Sequence, residues 1–282
     1  SAQKPMTVKD VQDFQRISFK QLSNDGKWVL AVTEPWRGDG DRNGSLRNFI
    51  GDATAKVYDA KGNLVQSFSP ISNIGFAAGS KHVVLSTKVT EKEKEEHLLK
   101  EQQSKGTKAA PRDPAGTPQD ARGQKAGAPA ASSKDLPMDK LIIYTLGGNQ
   151  EVIDSLRGYK LADKADWLAY QTGKKDSTLH VRNLGKGEIE LAAVTSYQFS
   201  TDGKSLCFVA SGSGINGTSG LFLLKEGSDT PILIKEGKGD FKSITFAQEG
   251  NTFAFLFAEK ADKDNKEAQE AAKKKGMELW MS

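Results

Sequence analysis

Hydrophobic and polar positions along this chain follow a pattern that returns five times: an apolar residue, a short polar turn, and then an apolar run. The clearest copies are residues 22–32 (LSNDGKWVLAV) and 199–209 (FSTDGKSLCFV). Looser copies occupy residues 76–85, 161–170 and 246–256. Asp followed by Gly is typical of two-residue hairpin turns with positive φ, and the apolar run is typical of a buried or half-buried strand. We therefore predict hairpins at the Asp-Gly steps of the two clearest copies.

A second strand pair follows each of the first four copies. These pairs turn at the Gly-containing stretches KGN, GGN, GKG and EGS, and they occupy residues 56–68, 141–153, 179–191 and 221–234. Short apolar runs that are separated by such turn residues are typical of consecutive antiparallel strands. The repeating unit is therefore predicted to be four short antiparallel strands.

The spacing of the repeat indicates the fold. The turn positions Gly26, Ser80, Ala165, Gly203 and Gly250 lie 54, 85, 38 and 47 residues apart. The longest interval contains a polar insertion, and removing it leaves a period of about 40 residues, which is the length of a four-stranded propeller blade. We predict an all-β protein with a β-propeller fold. A β-sandwich is the rival fold, but it does not explain why one turn motif returns at blade spacing.

The predicted organisation is an N-terminal lead-in at residues 1–17 and a partial propeller at residues 18–282. A capping-box pattern at Thr7 favours a short helix over residues 8–17. Two polar insertions, at residues 91–138 and 258–276, interrupt the propeller. The first begins as a Glu/Lys-rich helical stretch and then becomes rich in Ala, Gly, Pro and Lys, so we expect that part to be mobile.

The repeats predict four complete blades and an incomplete fifth, whose fourth strand is missing. We therefore expect this sequence to be the front of a longer chain. Both insertions join the second strand of a blade to its third strand, and so does the long loop at residues 34–54. Equivalent loops of a propeller emerge on the same face. This face is predicted either to contact another domain or a ligand, or to be solvated decoration.

Composition narrows the function classes. The chain has 282 residues with 37% hydrophobic and 27% charged residues, which is typical of a globular protein. No apolar run approaches the roughly 18 residues that a membrane span requires. The net charge of +4 is small and its basic residues are interleaved with acids, so nucleic-acid binding is not expected. The one cysteine, Cys207, falls inside a predicted strand, where we interpret it as a small buried hydrophobic residue.

Several short motifs resemble catalytic or cofactor sites but fail on their context. Residues 212–217 (GSGING) match a dinucleotide fingerprint, yet a strand follows where the pyrophosphate needs a helix N-terminus. We interpret them as a flexible inter-strand loop. No G-x-S-x-G nucleophile elbow exists in the chain. The histidines His82, His97 and His180 lack an evident Ser and Asp setting, and no Cys/His spacing fits zinc. No catalytic, cofactor-binding or metal-ligating residue is predicted, and no cofactor.

Residues 39–44 (DGDRNG) match the first half of a calcium loop. Position twelve of that loop is Ile50 instead of Glu, so we favour a polar loop that bends at its glycines. Trp28, Trp167 and His82 occupy equivalent positions at the start of a second strand. We expect aromatic side chains there to pack between neighbouring blades, with ligand stacking as the alternative.

The LSNDGKWV and FSTDGKSL stretches resemble the S-x-D-G-K blade signature of bacterial propellers. Two groups share this signature: TolB-like periplasmic proteins and the N-terminal propellers of the prolyl oligopeptidase family, which includes dipeptidyl peptidases and acylaminoacyl peptidases. The short helix that leads into the first strand and the Glu34-Pro35-Trp36 stretch before a Gly/Asp-rich loop are more similar to the peptidases.

The resemblance to the peptidases implies that the propeller caps an α/β-hydrolase domain, in cis, that is not present in this chain. That domain would carry the catalytic Ser, Asp and His, while the propeller would limit access to short or unfolded peptides. Some family members are exported, and the small residues before Gln3 resemble a signal-peptidase cut, so we expect a periplasmic or otherwise exported protein. The alternative is a non-enzymatic TolB-like propeller that binds protein partners.

Overall fold

The computed structural model of the chain describes residues 15–35, 52–106, 136–174, 178–261, 267, 269–270 and 276–282. Strands dominate this part of the chain, and the helix α1 (Glu91–Gly106) accompanies them. No helix among these residues has both the length and the apolar character that a bilayer crossing demands.

The strands form antiparallel sheets in which strands adjacent in the chain are also adjacent in the sheet. The first sheet contains β1 (Gln15–Leu22), β2 (Trp28–Pro35), β3 (Thr54–Asp59) and β4 (Leu64–Phe68). The second contains β5 (Ile71–Phe76), β6 (His82–Thr87), β7 (Asp139–Thr145), β8 (Gln150–Leu161), β9 (Trp167–Thr172), β10 (Leu179–Asn183) and β11 (Gly187–Leu191). The third contains β12 (Val194–Phe199), β13 (Ser205–Ile215), β14 (Thr218–Lys225) and β15 (Ile232–Glu236). The last contains β16 (Gly239–Phe246), β17 (Phe253–Glu259) and β18 (Glu278–Met281).

The seven-stranded sheet consists of two four-stranded units that share the long strand β8. The first part of β8 pairs with β7 and the second part pairs with β9, and Leu156 has a partner on both sides, Asp139 and Thr172. The strand bends at Ser155, whose φ is +60°. The described sheets are therefore consistent with four complete blades and an incomplete fifth. Blade 1 is β1–β4. Blade 2 contains β5, β6, β7 and the first part of β8, and blade 3 contains the second part of β8, β9, β10 and β11. Blade 4 is β12–β15 and blade 5 is β16–β18.

The Ser-x-Asp-Gly-Lys motif builds its turn with side chains. The Ser23 hydroxyl accepts a hydrogen bond from the Trp28 amide at 3.0 Å and donates one to Asp25 Oδ1 at 2.7 Å. The same Asp25 oxygen accepts the Lys27 amide at 3.1 Å. Blade 4 repeats this arrangement. Ser200 Oγ accepts the Ser205 amide at 2.9 Å and donates to Asp202 Oδ1 at 2.6 Å, and this oxygen accepts the Lys204 amide at 3.0 Å. The motif therefore specifies a closed polar turn, because one hydroxyl and one carboxylate satisfy the amides that the hairpin leaves unpaired.

The predicted hairpins are present at both Asp-Gly steps, but their turns are not of the two-residue type. Ser23 and Trp28 close the hairpin through the Ser23 N–H···O bond of 3.0 Å, so four residues lie between them. Only Gly26 of these four has a left-handed backbone, with φ of +72°, whereas a two-residue type I′ turn requires positive φ at both central residues. The aspartate is present for its hydrogen bonds and not for its backbone freedom.

Equivalent turns of successive blades contact one another. We call the five turns at residues 23–28, 77–82, 162–167, 200–205 and 247–252 the turn ring. Asn24 Nδ2 of the first turn donates to the Ala78 carbonyl at 2.9 Å, and the Asp25 amide donates to Ser80 Oγ at 3.1 Å. The Gly79 amide of the second turn donates to Asp166 Oδ1 of the third at 2.6 Å.

The later turns continue the same series. A Cβ built on Gly203 of the fourth turn would lie 3.1 Å from the Ala165 nitrogen of the third, which shows how closely their backbones approach. A Cβ built on Gly250 of the fifth turn would lie closer still to the Asp202 side chain of the fourth. The turns thus follow one another in chain order at one end of the sheets, which is the arrangement that a propeller requires. The predicted all-β propeller fold is confirmed.

The hydrophobic core lies between neighbouring blades. Blades 1 and 2 bury a cluster that includes Leu30, Val57, Val83 and Leu85. Blades 2 and 3 bury Val84, Leu141, Leu168 and Tyr170, and blades 3 and 4 bury Ala169, Leu179, Phe208 and Phe222. Blades 4 and 5 bury Cys207, Leu221, Phe253, Phe255 and Phe257. Consecutive residues of one strand, such as Leu168 and Ala169, therefore serve two different clusters, because successive side chains point to opposite faces of the sheet.

The predicted lead-in and insertions are only partly within the described residues. Gln15 to Ile17, the last three residues of the predicted helix, belong to β1, so the helix does not extend to residue 17; residues 1–14 lie outside the described part. The helical start of the first insertion is present as α1, whose Thr90 and Glu93 form the reciprocal bonds of a capping box at 2.8 and 3.2 Å. The stretch expected to be mobile falls mostly outside the described residues. The second insertion begins later than predicted, because β17 continues to Glu259.

Candidate functional site

A cavity of about 700 Å3 lies where the first strands of four blades approach one another. Its walls come from β1, β5, the second half of β8 and β12, together with the residues that follow the last two strands. Its lining residues are Phe19, Gln21, Asn73, Ile74, Gly75, Phe76, Tyr159, Lys160, Leu161, Ala162, Asp163, Gln198, Phe199, Ser200 and Thr201. The first strands line this central cavity because their outer neighbours bury the apolar clusters between blades.

Amide side chains give the central cavity its chemical character. Gln21, Asn73 and Gln198 each come from a different blade. Gln21 Oε1 accepts the Phe76 amide at 3.1 Å and so joins the first strands of blades 1 and 2. Carboxamides both donate and accept hydrogen bonds, as a peptide backbone does. This wall can therefore hold an extended polar chain.

The cavity wall has no arrangement for acid–base or nucleophilic chemistry among its described residues. Lys160 Nζ donates to the Tyr197 carbonyl at 2.8 Å and lies over the Tyr197 ring, 5.5 Å from its centroid. Burial raises the pKa of Tyr159, so its phenol stays protonated at neutral pH.

The residues that start the second strands of blades 1, 2 and 3 lie against the next blade. Trp167 meets Phe199 of blade 4 edge to face, with ring centroids 6.0 Å apart. Trp28 packs on the cluster between blades 1 and 2. His82 of blade 2 lines a small pocket with Arg182 and Leu184 of blade 3. The interpretation as inter-blade packing is confirmed for the tryptophans, because a large side chain at this position fills the wedge between two sheets.

His82 occupies this wedge as a neutral imidazole. Its Nδ1 is buried and has no hydrogen-bond partner in the described part of the chain. Burial lowers the pKa of His82; Asp166 opposes this effect, while Arg182 and Lys81 add to it. A buried neutral histidine must gain a proton when the chain unfolds in mild acid.

We expect the stability of the chain to fall as the pH drops below about 6.5. Because unfolding returns the His82 pKa to its ordinary value near 6.5, the unfolded state binds more protons below that pH, and the loss is absent above it. Urea unfolding at several pH values measures the effect, and His82→Gln is expected to show a shallower slope. Equal slopes for the two proteins would contradict the assignment.

The glycine-rich stretch at residues 212–217 is a hairpin, and the prediction of a flexible loop was wrong. β13 continues to Ile215, which pairs with Thr218 at the start of β14. Asn216 and Gly217 have φ of +53° and +78°, so they form the two-residue turn. A strand follows these glycines, as predicted, where a dinucleotide site would need a helix.

The half calcium loop at residues 39–44 lies outside the described residues. Cys207 is fully buried between blades 4 and 5, and burial raises the pKa of its thiol to about 12, which confirms its interpretation as a small core residue. His97 lies on α1 and His180 on β10, where it contacts Glu188 and Glu190. No motif in the sequence connects His180 with these two glutamates.

The long second-to-third-strand connections emerge opposite the turn ring. Antiparallel strands reverse direction at each turn, so the first-to-second turns lie at one end of a blade and the second-to-third loops at the other. These loops begin after Pro35, Thr87 and Glu259 and end before Thr54, Asp139 and Glu278. The expectation that three enlarged loops share one face is consistent with these strand ends.

No family model matches the chain, and no curated protein matches it. Among solved structures, it is similar to the β-propeller domain of the Trilobed protease from Pyrococcus furiosus (9% identity, 89% of this chain and 65% of that one, TM-score 0.43). It is also similar to prolyl oligopeptidase B from Galerina marginata (12% identity, 90% and 34%, TM-score 0.43) and to a functionally unknown protein from Desulfotomaculum acetoxidans (9% identity, 84% and 63%, TM-score 0.39).

The chain therefore spans less than two thirds of these structures, and about one third of the oligopeptidase. Its assignment to the β-propellers depends on its own turn ring and on the apolar clusters between its blades.

Proposed function

We propose that this chain is the N-terminal propeller portion of an exported serine peptidase of the prolyl oligopeptidase family. In this proposal the propeller gates the access of peptides to an α/β-hydrolase domain that lies outside the present sequence. That domain would form an acyl-serine intermediate and hydrolyse the peptide bond. The propeller itself contributes binding and exclusion.

The central cavity carries this proposal. Its volume of about 700 Å3 is in the range of pockets that hold small ligands, so it admits an extended segment of chain and excludes a folded domain. The amides of Gln21, Asn73 and Gln198 offer the hydrogen bonds that an unfolded peptide backbone needs. Passage of an unfolded chain therefore fits the cavity better than docking of a folded partner.

The face opposite the turn ring supports the docking of a second domain. Enlarged loops follow the second strands of blades 1, 2 and 5 and emerge on that face. Loops on a rigid scaffold commonly carry binding surfaces. A hydrolase domain on this face would close one end of the cavity and leave the turn ring as the entrance.

The test uses the natural full-length protein that contains this sequence. It is expected to react with a fluorophosphonate probe and to hydrolyse short peptides, but not folded proteins. Gln198→Trp narrows the cavity and is expected to lower kcat/KM for a peptide by about tenfold or more, because misplaced or obstructed binding raises the barrier for every substrate. Gln66→Trp makes the same change on the outer strand β4 and is the matched control.

The outcomes separate the two hypotheses. Loss of activity in Gln198→Trp with normal Gln66→Trp supports gating by the cavity. Equal activity of both variants would refute gating, even in an active peptidase. A full-length protein that neither reacts with the probe nor cleaves peptides would refute the peptidase proposal and favour the TolB-like binding module.

A further inference from the structure

A histidine and two glutamates meet on the outer part of blade 3. His180 lies on β10, and Glu188 and Glu190 lie on the outermost strand β11. His180 is directly opposite Glu190 in the pairing of the two strands, and Glu188 is two residues away on the same face. Their opposite faces pack on the cluster between blades 3 and 4, so the three polar side chains point toward blade 2.

The spacing of their ligand atoms fits one metal ion. His180 Nδ1 is 3.1 Å from Glu188 Oε1 and 3.7 Å from Glu190 Oε1, and all three residues offer a ligand atom within 4.8 Å of the others. Zinc takes bonds of about 2.0–2.2 Å to imidazole and carboxylate in a tetrahedron, whose ligands are then about 3.3–3.6 Å apart. We propose that His180, Glu188 and Glu190 bind a divalent transition-metal ion of the zinc class.

Tyr170 positions two of the three ligands. Its ring stacks on the His180 imidazole at 4.8 Å between centroids and 10° between planes. Its hydroxyl donates to Glu188 Oε2 at 2.8 Å, which leaves Oε1 facing the histidine. Tyr170 itself is buried on β9. Outer-shell contacts of this kind orient metal ligands and strengthen binding.

The charges around the cluster favour a cation. The two carboxylates bring negative charge to the cluster, which a divalent ion would offset. Arg182 is the nearest cation on the same strand, but both of its terminal nitrogens bind the Glu151 carboxylate of β8 at 2.7 Å. Its charge is therefore compensated within the seam between blades 2 and 3.

Three protein ligands leave a fourth position for water or another group. The Glu190 side chain is 68% exposed, so this position opens to solvent. Because the ligands come from β10 and β11, bound metal would tie the outermost strand to the blade. Binding to the folded state alone raises the stability of the chain by mass action.

The test is a calorimetric titration of the chelator-treated chain with zinc chloride. The wild-type chain is expected to bind one ion and to melt at a higher temperature with zinc. Glu190→Gln and His180→Gln are expected to weaken binding by more than about tenfold, and Tyr170→Phe by about tenfold with unchanged stoichiometry. His82→Gln removes a histidine from the neighbouring blade and is expected to bind as the wild type does.

The proposal would be overturned if zinc binding did not saturate at about millimolar zinc, because a dissociation constant above about a millimolar is too weak for a built site. So would equal weakening by His82→Gln, or unchanged affinity in Glu190→Gln. Glu190 is exposed, so its variant decides the question even if His180→Gln fails to fold. Zinc binding and peptidase activity are measured separately, so either result leaves the other proposal unaffected.

Discussion

Phe208→Ala is expected to lower the free energy of unfolding by about 3–5 kcal/mol. The Phe208 side chain is fully buried in the cluster between blades 3 and 4 and stacks on Phe222, with 5.4 Å between ring centroids. Removing the ring forfeits its transfer free energy and leaves a cavity that two rigid sheets cannot close. Phe208 and Phe222 pair within blade 4, and the cluster to which both belong packs blade 4 on blade 3, so the loss weakens the packing between the two sheets.

Urea unfolding followed by tryptophan fluorescence measures this loss. Phe19→Ala is the matched control, because Phe19 is 41% exposed on the first strand of blade 1. It is expected to cost about 1 kcal/mol or less, as surface substitutions outside a packed core usually do. A similar loss in both variants would show that burial between the blades does not dominate the stability of this chain.

Gly203→Ala is expected to destabilise the chain by about 2–5 kcal/mol. Its φ of +72° costs an L-residue about 1–2 kcal/mol. The new Cβ would also lie 3.1 Å from the nitrogen and 3.2 Å from the Cβ of Ala165 in the neighbouring blade. Overpacking against a fixed backbone adds about 1–3 kcal/mol.

Gly26→Ala isolates the contact between blades. Gly26 occupies the same motif position with the same φ of +72°, but a Cβ there would meet nothing within 4 Å. Only the backbone cost of about 1–2 kcal/mol is expected. The difference between the two variants in urea unfolding therefore measures how tightly the turn ring is packed. Equal losses would contradict the close approach of the third and fourth turns.

The strand repeat was predictable because each blade encodes it locally. The polar turn and the apolar run after it stand within eleven residues, and the same letters return in blade 4. The turn geometry was not predictable from Asp-Gly alone, since two turn types use that pair. The hydrogen bond from the Trp28 amide to Ser23 Oγ distinguishes them, and it joins residues on either side of the turn.

The candidate sites show where such local reasoning ends. The predicted hairpin of residues 179–191 already contains His180, Glu188 and Glu190, but their convergence depends on the pairing register of β10 and β11. A register shift of one residue would place the glutamates on the other face. Tyr170 contacts His180 and Glu188 from another strand, β9, and no local sequence pattern connects it to them. The central cavity likewise brings together side chains from four blades.

The sequence by itself determined the strands and their four-stranded grouping, because these follow from apolar runs between turn residues and from a repeat of about forty residues. Only the tertiary structure decided how blades meet. The bond from Asn24 to Ala78 spans 54 residues and the bond from Gly79 to Asp166 spans 87. No periodicity encodes such pairs; the packing of apolar faces between sheets brings them together, and the central cavity depends on that packing.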